Sequence, residues 1–158
     1  MSIVKIITGN IFDSTCESVV CPVNSIGVMG AGLAKAFRDN PKFKGSNAAY
    51  KDACVKGEIA PGSVYLGVND FEPENLSYVF YLATKYHWMD DSKMEYVENG
   101  LLNLMKALYN YKINSCAIPL LGSGLGHLPE STVQFTMENL FKEDENKERV
   151  IEIYRFKK

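Results

Sequence analysis

Three groups of small and polar residues in this chain have the residue types needed to bind and process an anionic ligand. They occupy residues 24–32, 84–88 and 122–126, and the first and third are rich in glycine. Glycine lets a ligand approach the backbone closely, and N–H groups at a loop or helix N-terminus bind phosphate oxygens. Two such loops on one edge predict a site in which a diphosphate is gripped from both sides. A plain turn before a helix would explain either loop taken alone.

Lys85 is the residue that we expect to carry the chemistry. It follows an apolar run, so its ammonium group is predicted to be partly desolvated, which lowers the pKa of a lysine. Such a lysine acts as a nucleophile or as an electrostatic stabiliser. The competing interpretation is a solvated surface lysine.

Two histidines are further candidates. His87 and the neighbouring Trp88 either flank the substrate or pack under a loop. His127, just after the third group, either acts as an acid or base near neutral pH or only faces solvent. Glu130 is the nearest carboxylate, but a helix start after Pro129 explains an acid there equally well.

Other classes of site fit the sequence poorly. No Gly-Lys-Ser/Thr ending is present for a P-loop, and only Gly9 stands after the first predicted strand, where a dinucleotide fingerprint would begin. The four cysteines form no CxxC pair, so we predict no metal site and no cofactor, and we interpret the cysteines as reduced cytosolic thiols.

Charge and hydropathy set further bounds. The formal net charge of -2, with acids and bases interspersed, does not suggest a basic groove for nucleic acid. No long apolar run is present, so we predict a cytoplasmic protein without membrane association.

These groups need a scaffold, and the hydrophobic pattern predicts one in which strands and helices alternate. We predict strands over residues 3–8, 18–23, 64–68, 78–83, 115–120 and 150–156, and helices over residues 33–39, 48–56, about 93–111 and 130–141. Ser92 and Glu95 have the spacing of a capping box for the long helix, and Gly57 suits a left-handed C-terminal cap. Residues 143–149 are predicted to be a solvated charge run.

Alternating strands and helices favour an α/β fold: a three-layer α/β/α domain with a mixed, largely parallel central sheet. With 158 residues, of which 46% are hydrophobic, the chain suits one domain. Ligands of open parallel sheets bind beyond the carboxyl ends of the strands. All three groups follow predicted strands, so we expect them to share that edge.

In order and spacing, three segments resemble the macrodomain family. They read VNSIGVMGAGLA over residues 23–34, ATKYHW over residues 83–88 and IPLLGSG over residues 118–124. The second segment points to the branch that contains the antitoxin removing ADP-ribose from DNA and the terminal ADP-ribose glycohydrolase. Small ADP-ribose-1''-phosphate phosphatases are similar too. The resemblance implies a single macrodomain over residues 1–158.

The resemblance also assigns roles at the distal ribose and the diphosphate. It implies that Asn24 hydrogen-bonds the distal ribose and that Lys85 is catalytic. Residues implied to bind the diphosphate are Gly30, Ala31, Gly32 and Leu33 on one side and Leu121, Gly122, Ser123, Gly124, Leu125 and Gly126 on the other. Gly126 falls where the terminal ADP-ribose glycohydrolase has a catalytic aspartate, so that two-residue mechanism does not transfer whole.

The adenine end is implied to lie at Gly9, Asn10 and Ile11, where many macrodomains carry Gly-Asp-Ile. Here Asn10 offers an amide in place of the aspartate that contacts the adenine amino group. Tyr154 is a further candidate near the adenine ring, with a core tyrosine as the alternative.

The function implied is binding of ADP-ribose with hydrolysis of a group at the 1'' position of the distal ribose. The resemblance leaves open an ADP-ribose-1''-phosphate phosphatase and an ADP-ribosyl glycohydrolase acting on ADP-ribosylated protein or nucleic acid. A non-catalytic ADP-ribose reader is the alternative, because the loops alone suffice for binding.

Overall fold

Strands and helices alternate along the chain in the computed structural model, which describes residues 2–69 and 75–155. The strands are β1 (Ile3–Thr8), β2 (Ser18–Asn24), β3 (Val64–Val68), β4 (Tyr78–Lys85), β5 (Ser115–Pro119) and β6 (Val150–Arg155). The helices are α1 (Gly32–Asp39), α2 (Lys44–Val55), α3 (Met94–Asn110) and α4 (Glu130–Lys142). Two short 3-10 helices occupy Ile11–Asp13 and Pro41–Phe43.

The six strands form one sheet in the order β1-β6-β5-β2-β4-β3. Every neighbouring pair is parallel except β3 and β4, which are antiparallel. The predicted mixed, largely parallel sheet is therefore confirmed. Because five strands run the same way, their carboxyl ends meet along one edge, where the loops after β1, β2, β4 and β5 begin.

Two separate hydrophobic cores cover the two faces of the sheet. On one face Phe37, Phe43 and Tyr50, from α1, α2 and the turn between them, pack against β2 and β4. On the other face α3 and α4 bury a second set that includes Leu101 and Phe141. Each fully buried side chain of this size contributes about 1.5–3 kcal/mol, so the predicted three-layer arrangement is fastened from both sides.

Helix α3 lies unusually close to β4. A Cβ atom at Gly100 would lie 2.5 Å from Leu82 Cδ2, so a larger residue would require the Leu82 side chain or the helix to shift. Gly100 thus packs directly against β4, the strand whose last residue is Lys85.

The structure corrects several sequence-based expectations about the elements. Strand β4 extends through Lys85, and α2 starts at Lys44 rather than at residue 48, because its polar first turn gives no apolar periodicity. The capping box is wrong: Lys93 is the N-cap of α3 and makes no side-chain cap bond, and the Ser92 hydroxyl donates to Thr84 Oγ1 instead. The predicted end of β6 at residue 156 lies outside the described residues.

The charge run over residues 143–149 is not uniformly solvated. Asp144 and Arg149 are buried and form an ion pair of 2.6 Å between Asp144 Oδ2 and Arg149 Nη1. Charged side chains are rarely buried unless they pair with each other, and Asp144 and Arg149 do so. The predicted cap at Gly57 is confirmed, since its φ is +73°.

Candidate functional site

The edge formed by the carboxyl ends of the parallel strands brings the three polar groups together. Asn24 and Lys85 are register partners on the neighbouring strands β2 and β4, just after an irregularity at Val23 and Asn24. The Ser25 N–H donates to the Tyr86 carbonyl at 2.9 Å, which continues the pairing into both loops. The two residues expected to act at the distal ribose thus start from adjacent points of the sheet.

Asn24 holds together the first glycine loop, residues 24–32, through hydrogen bonds from its side chain. Its Oδ1 accepts hydrogen bonds from the N–H groups of Ile26, Gly27 and Val28 at 3.0–3.2 Å, and its Nδ2 donates to the Val28 carbonyl at 2.8 Å. The side chain is buried, and Tyr50 fastens its backbone carbonyl through a hydrogen bond of 2.5 Å. Contact between Asn24 and a ribose stays a prediction, whereas its hold on the loop is direct.

The first glycine loop leads into the N-terminus of α1. Gly32, the first residue of α1, has a φ of +59°, a conformation that favours glycine. Gly30 has only Val28 Cγ1 near the position of a Cβ atom, at 3.8 Å, so space for a ligand lies beside it. Ala31 is the N-cap and makes no side-chain cap bond, and Leu33 packs against the core below. Backbone N–H groups at this helix start are available to an anion.

The second glycine loop, residues 122–126, faces the first one. Leu125 lies over α1, because a Cβ atom at Gly32 would be 3.2 Å from Leu125 Cδ1. The Gly124 position is open, since a Cβ atom there would have no neighbour within 4 Å, and Leu121 is fully buried below the loop. The Ser123 hydroxyl donates to the Leu120 carbonyl at 2.7 Å, so its hydrogen holds the turn rather than facing a ligand as a donor.

Gly122 and Gly126 are packed tightly against the segment before α3. Gly122 has a φ of +73°. A Cβ atom at Gly126 would lie 2.2 Å from Ser92 Oγ and 2.5 Å from the Gly122 carbonyl oxygen. No side chain fits at residue 126 without rearrangement of the loop, which gives a physical reason why an aspartate does not stand there.

Lys85 connects its strand to the second glycine loop. Its Nζ donates to the Trp88 carbonyl at 3.1 Å and to the Leu125 carbonyl at 3.5 Å. The side chain is half-buried, and burial lowers the pKa of Lys85 below its ordinary value although Asp91 and Asp90 act in the opposite direction. The amine is therefore easier to deprotonate than that of a solvated lysine.

The two histidines occupy different environments. His87 is half-buried, accepts the Met89 N–H at Nδ1 over 3.1 Å and stacks on Trp88 with ring centroids 5.4 Å apart. His127 is exposed, and its Nδ1 lies 2.7 Å from Asp91 Oδ1. The His127–Asp91 contact joins the loop after β4 to the second glycine loop.

The residues expected at the adenine end either follow β1 or lie in β6. Gly9 has open space beside it, and Ile11 is buried. Asn10 caps the 3-10 helix by accepting the Phe12 N–H at 3.0 Å, so its oxygen already has one partner. Tyr154 is 7% exposed and its hydroxyl lies 3.2 Å from Glu152 Oε1, which fits the core alternative better than a ring free to stack on adenine.

Two residues that hold the site together were not singled out for this role from the sequence. Ser92 ties the second glycine loop to β4, through its N–H to the Gly126 carbonyl at 3.0 Å and its hydroxyl to Thr84. Tyr50 supports Asn24 from α2 and stacks on Tyr81. Ser92 had a visible signal, a serine before a helix, but the spacing suggested a cap; nothing in the sequence around Tyr50 indicated its contact.

A family model for the Macro domain matches residues 20–137. The chain belongs to the Macro domain family. The match runs from β2 into α4 and so includes both glycine loops and Lys85.

Several characterised macrodomains are similar to this one. A DNA ADP-ribosyl glycohydrolase from Thermus aquaticus is 37% identical over 126 residues, 79% of this chain and 34% of that protein. The macrodomain of Mycobacterium tuberculosis DarG superposes with a TM-score of 0.90 at 27% identity and covers 98% of both chains. Thermosipho africanus DarTG in complex with ADP-ribose superposes with a TM-score of 0.83 at 28% identity, over 97% of this chain and 42% of that one.

The chain spans about a third of the length of the curated relatives that it matches, 34% and 38%. Within residues 2–69 and 75–155, no helix is long and apolar enough to cross a membrane. The same residues bring together no group of three His, Cys, Asp or Glu side chains suited to a metal ion. All four cysteines are free.

Proposed function

We propose that this macrodomain binds ADP-ribose between its two glycine loops and hydrolyses the bond that joins C1'' of the distal ribose to a DNA base. The observation that carries the proposal is Lys85, a half-buried lysine with a lowered pKa that is held at the end of β4 by hydrogen bonds to the carbonyls of Trp88 and Leu125. Relatives named DNA ADP-ribosyl glycohydrolase, with up to 37% identity, support the choice of DNA as the macromolecule from which ADP-ribose is released.

The binding part of the proposal rests on backbone groups. Gly9, Gly30 and Gly124 have free space at the strand-end edge, and the α1 N-terminus adds its N–H groups. These uncharged donors suit a diphosphate, since helix N-termini and exposed glycine amides attract anionic oxygens. Thermosipho africanus DarTG, part of which has the same fold, has been solved in complex with ADP-ribose, which supports ADP-ribose as the ligand.

The chemical step assigned to Lys85 is nucleophilic. The neutral amine attacks C1'', the bond from C1'' to the base breaks, and the electron pair of that bond leaves with the base, which takes up the proton that the attached amine releases. Water then attacks C1'', displaces the amine and gives one proton to it, so the net reaction adds water across the original bond. Burial favours the neutral amine that this step requires.

The same proposal places residues 1–158 in one macrodomain and the protein in the cytoplasm. Support for one unit comes from the two cores, which pack against a single sheet. Support for the compartment comes from the four free cysteines, since free thiols are typical of reducing compartments.

The test compares wild type, Lys85→Ala and Lys106→Ala, a control that removes an exposed lysine from α3. Each is incubated with an oligodeoxynucleotide that carries one ADP-ribosylated base, with ADP-ribose-1''-phosphate and with ADP-ribosylated protein, while calorimetry follows ADP-ribose binding. Lys85→Ala should lose about 100-fold or more in kcat on the oligonucleotide and still bind ADP-ribose. Binding without turnover of any substrate would favour a reader, and turnover of ADP-ribose-1''-phosphate alone a phosphatase.

A further inference from the structure

Ser92 and Thr84 form a pair of buried hydroxyl groups, and Thr84 directly precedes Lys85. The Ser92 hydroxyl donates to Thr84 Oγ1 at 3.0 Å, and the two residues are only 5% and 3% exposed. A serine near the start of a helix ordinarily caps it, but α3 starts without a side-chain cap bond and the Ser92 hydroxyl bonds to β4 instead. The start of α3 therefore does not explain the Ser92 hydroxyl.

The hydroxyl pair belongs to a closed ring of contacts that contains Lys85. The Lys85 amine donates to the Leu125 carbonyl at 3.5 Å, and the carbonyl of the next residue, Gly126, accepts the Ser92 N–H at 3.0 Å. The Ser92 hydroxyl leads back to Thr84, the neighbour of Lys85 in β4. The second glycine loop is thus joined to β4 twice, once through the lysine amine and once through Ser92. We call Thr84, Lys85, Ser92, Leu125 and Gly126 the lysine ring.

The lysine ring is tightly packed on the side of Ser92. A Cβ atom at Gly126 would collide with Ser92 Oγ, and a Cβ atom at Gly122 would lie 3.0 Å from Ser92 Cβ. Two glycines of the second glycine loop therefore pack on one small side chain. The Ser92 side chain sets how closely this loop approaches β4.

The position of the second glycine loop bears on the direction of the Lys85 lone pair. A neutral amine has two N–H hydrogens and one lone pair, and two carbonyls accept from this amine, those of Trp88 at 3.1 Å and Leu125 at 3.5 Å. With both hydrogens donated, the lone pair points away from the two carbonyls. Because Gly126 follows Leu125, the contact between Ser92 and Gly126 helps to fix one of these carbonyls and, with it, the direction of the lone pair.

The same loop covers part of the Lys85 amine, whose pKa is lowered chiefly by burial. The charged groups near the amine are Asp90 and Asp91, in the segment after β4, and His127, which follows the second glycine loop and pairs with Asp91. All of these groups stay in place when a hydroxyl of the pair is removed. A rise in the Lys85 pKa in such a variant would therefore report a less buried amine.

Resting on the function proposed above, we infer that Ser92 and Thr84 are positioning residues, whose hydrogen bond holds the second glycine loop against β4 and thereby aims the Lys85 amine at C1''. Both hydroxyls are buried, so they act through Lys85 and Leu125 and not on the substrate. Lys85 performs the chemistry.

Turnover of an oligodeoxynucleotide with one ADP-ribosylated base supplies the first arm of the test. Ser92→Ala and Thr84→Val each remove one partner of the hydrogen bond, and valine keeps the shape of threonine. Each variant should lower kcat by about 10-fold or more and change KM less, because a misaimed nucleophile slows the chemical step more than binding. Thr84→Ser keeps the hydroxyl and should restore most of kcat. The double variant should be no slower than either single variant, since both remove the same bond.

Ser18→Ala is the matched control, because it also removes a buried hydroxyl. Ser18 lies at the start of β2, at the far end of that strand from Asn24, and its hydroxyl donates to the Ser115 carbonyl at 2.7 Å. This variant should lose about as much thermal stability as Ser92→Ala and keep the kcat of wild type. An equal loss of kcat in both variants would make the effect a general result of destabilisation and would overturn the inference.

The second arm titrates Lys85 without any substrate, by NMR of protein with isotope-labelled lysine side chains. The Lys85 signal is assigned by its disappearance in Lys85→Ala. In Ser92→Ala and Thr84→Val the Lys85 pKa should rise toward the ordinary value of a lysine, since water reaches the amine more easily. In Thr84→Ser and Ser18→Ala it should stay as in wild type.

The two arms separate the inference from the proposed function. If wild type cleaves the oligonucleotide and Ser92→Ala cleaves it equally well, the inference is wrong and the proposed function stands. If wild type does not cleave it but the Lys85 pKa rises in Ser92→Ala and Thr84→Val alone, the hold of the pair on Lys85 is supported and the proposed function fails. If wild type does not cleave it and the pKa is the same in all variants, both fail.

Discussion

Lys85 experiences opposing influences on its pKa, and their balance sets the pH dependence of the proposed reaction. Burial lowers the pKa of Lys85, whereas the carboxylates of Asp91 and Asp90 raise it, and the net direction is downward. A nucleophilic amine must be neutral, so kcat/KM should rise with pH through the Lys85 pKa. A lysine that stabilises charge as an ammonium would give the opposite slope.

The Asp91 carboxylate raises the Lys85 pKa, so its removal tests this balance. Asp91→Asn removes a charge that favours the ammonium form, so the Lys85 pKa should fall further and the rising limb of the profile should move to lower pH. The measurement is kcat/KM from about pH 6 to about pH 10 for wild type and variant.

The matched control for that variant is His127→Asn. It breaks the contact between His127 and Asp91 while keeping the carboxylate, and asparagine tolerates the φ of +66° at residue 127. Its profile should coincide with that of wild type. A profile that falls with rising pH in wild type would contradict a nucleophilic Lys85.

At the scale of the loops, Asn24 is predicted to act through the backbone that it holds. Asn24→Ala leaves the Ile26, Gly27 and Val28 N–H groups without their acceptor, at a cost of about 1–3 kcal/mol, and should weaken ADP-ribose binding about 10-fold or more. Hydrogen exchange of these three amides should accelerate, which can be followed alongside calorimetry.

Asn24→Asp serves as the comparison, because a carboxylate still accepts the three N–H groups but cannot donate to the Val28 carbonyl. It should retain intermediate affinity and slow exchange. Lost affinity in Asn24→Ala with unchanged amide exchange would show instead that Asn24 contacts the ligand itself.

The second glycine loop offers a matched pair of glycines for a packing test. Gly126→Ala places a Cβ atom 2.2 Å from Ser92 Oγ, whereas Gly124→Ala meets nothing within 4 Å. Gly126→Ala should therefore lower the unfolding temperature by about 3–10 °C and weaken ADP-ribose binding. Gly124→Ala should leave stability unchanged. Equal stability of the two variants, measured by calorimetric melting, would show that the loop adapts freely.

The bounds of some strands and helices could be predicted from the sequence, and others could not. β1 and β3 have the predicted bounds because their runs are bordered by glycine and proline turns. The start of α2 was missed, since Gly45, Ser46 and Asn47 carry no apolar periodicity and are fixed by tertiary contacts such as Asn47 Nδ2 to the Phe37 carbonyl at 2.9 Å. Propensity cannot reveal a helix turn that is stabilised from elsewhere in the chain.

At the scale of the whole molecule, parallel pairing was the step that made the site predictable. Alternating strands and helices predict parallel pairing, and parallel pairing brings the carboxyl ends of β2, β4 and β5 to one edge of the sheet. The proximity of the residues after these strands could therefore be predicted before any of their side-chain contacts was known. The bonds within the site were not predictable. The Asn24 side chain bonds to its own loop, and the Ser92 hydroxyl donates to Thr84 Oγ1. Which partner a polar side chain takes depends on atomic distances that the sequence does not give.

The opposite edge of the sheet carries a buried polar cluster that fastens the molecule. Asp144 accepts hydrogen bonds from the Ser2 hydroxyl and from Arg149 Nη1, and Arg149 Nε donates to the Ile113 carbonyl at 3.2 Å. The cluster joins the residues that precede β1, β5 and β6. Burial by itself would raise the pKa of Asp144, but the hydrogen bonds from Ser2 and Arg149 outweigh it and hold the pKa below its ordinary value.

A lowered carboxyl pKa in the folded state makes a stability contribution that is present above the unfolded pKa and lost as pH falls through the folded one. Asp144→Asn should therefore lower the free energy of unfolding at about pH 7 by about 3 kcal/mol, because Arg149 stays buried without a counter-charge. In denaturant titrations the difference from wild type should shrink below about pH 4, as the wild-type carboxylate becomes protonated.

Asp39→Asn, which breaks an exposed pair with Lys35, should change stability far less, since water screens that pair. The double variant Asp144→Asn with Arg149→Met removes the unpaired buried charge and should regain part of the loss; a double variant no more stable than Asp144→Asn would mean that the cost comes from packing and not from charge.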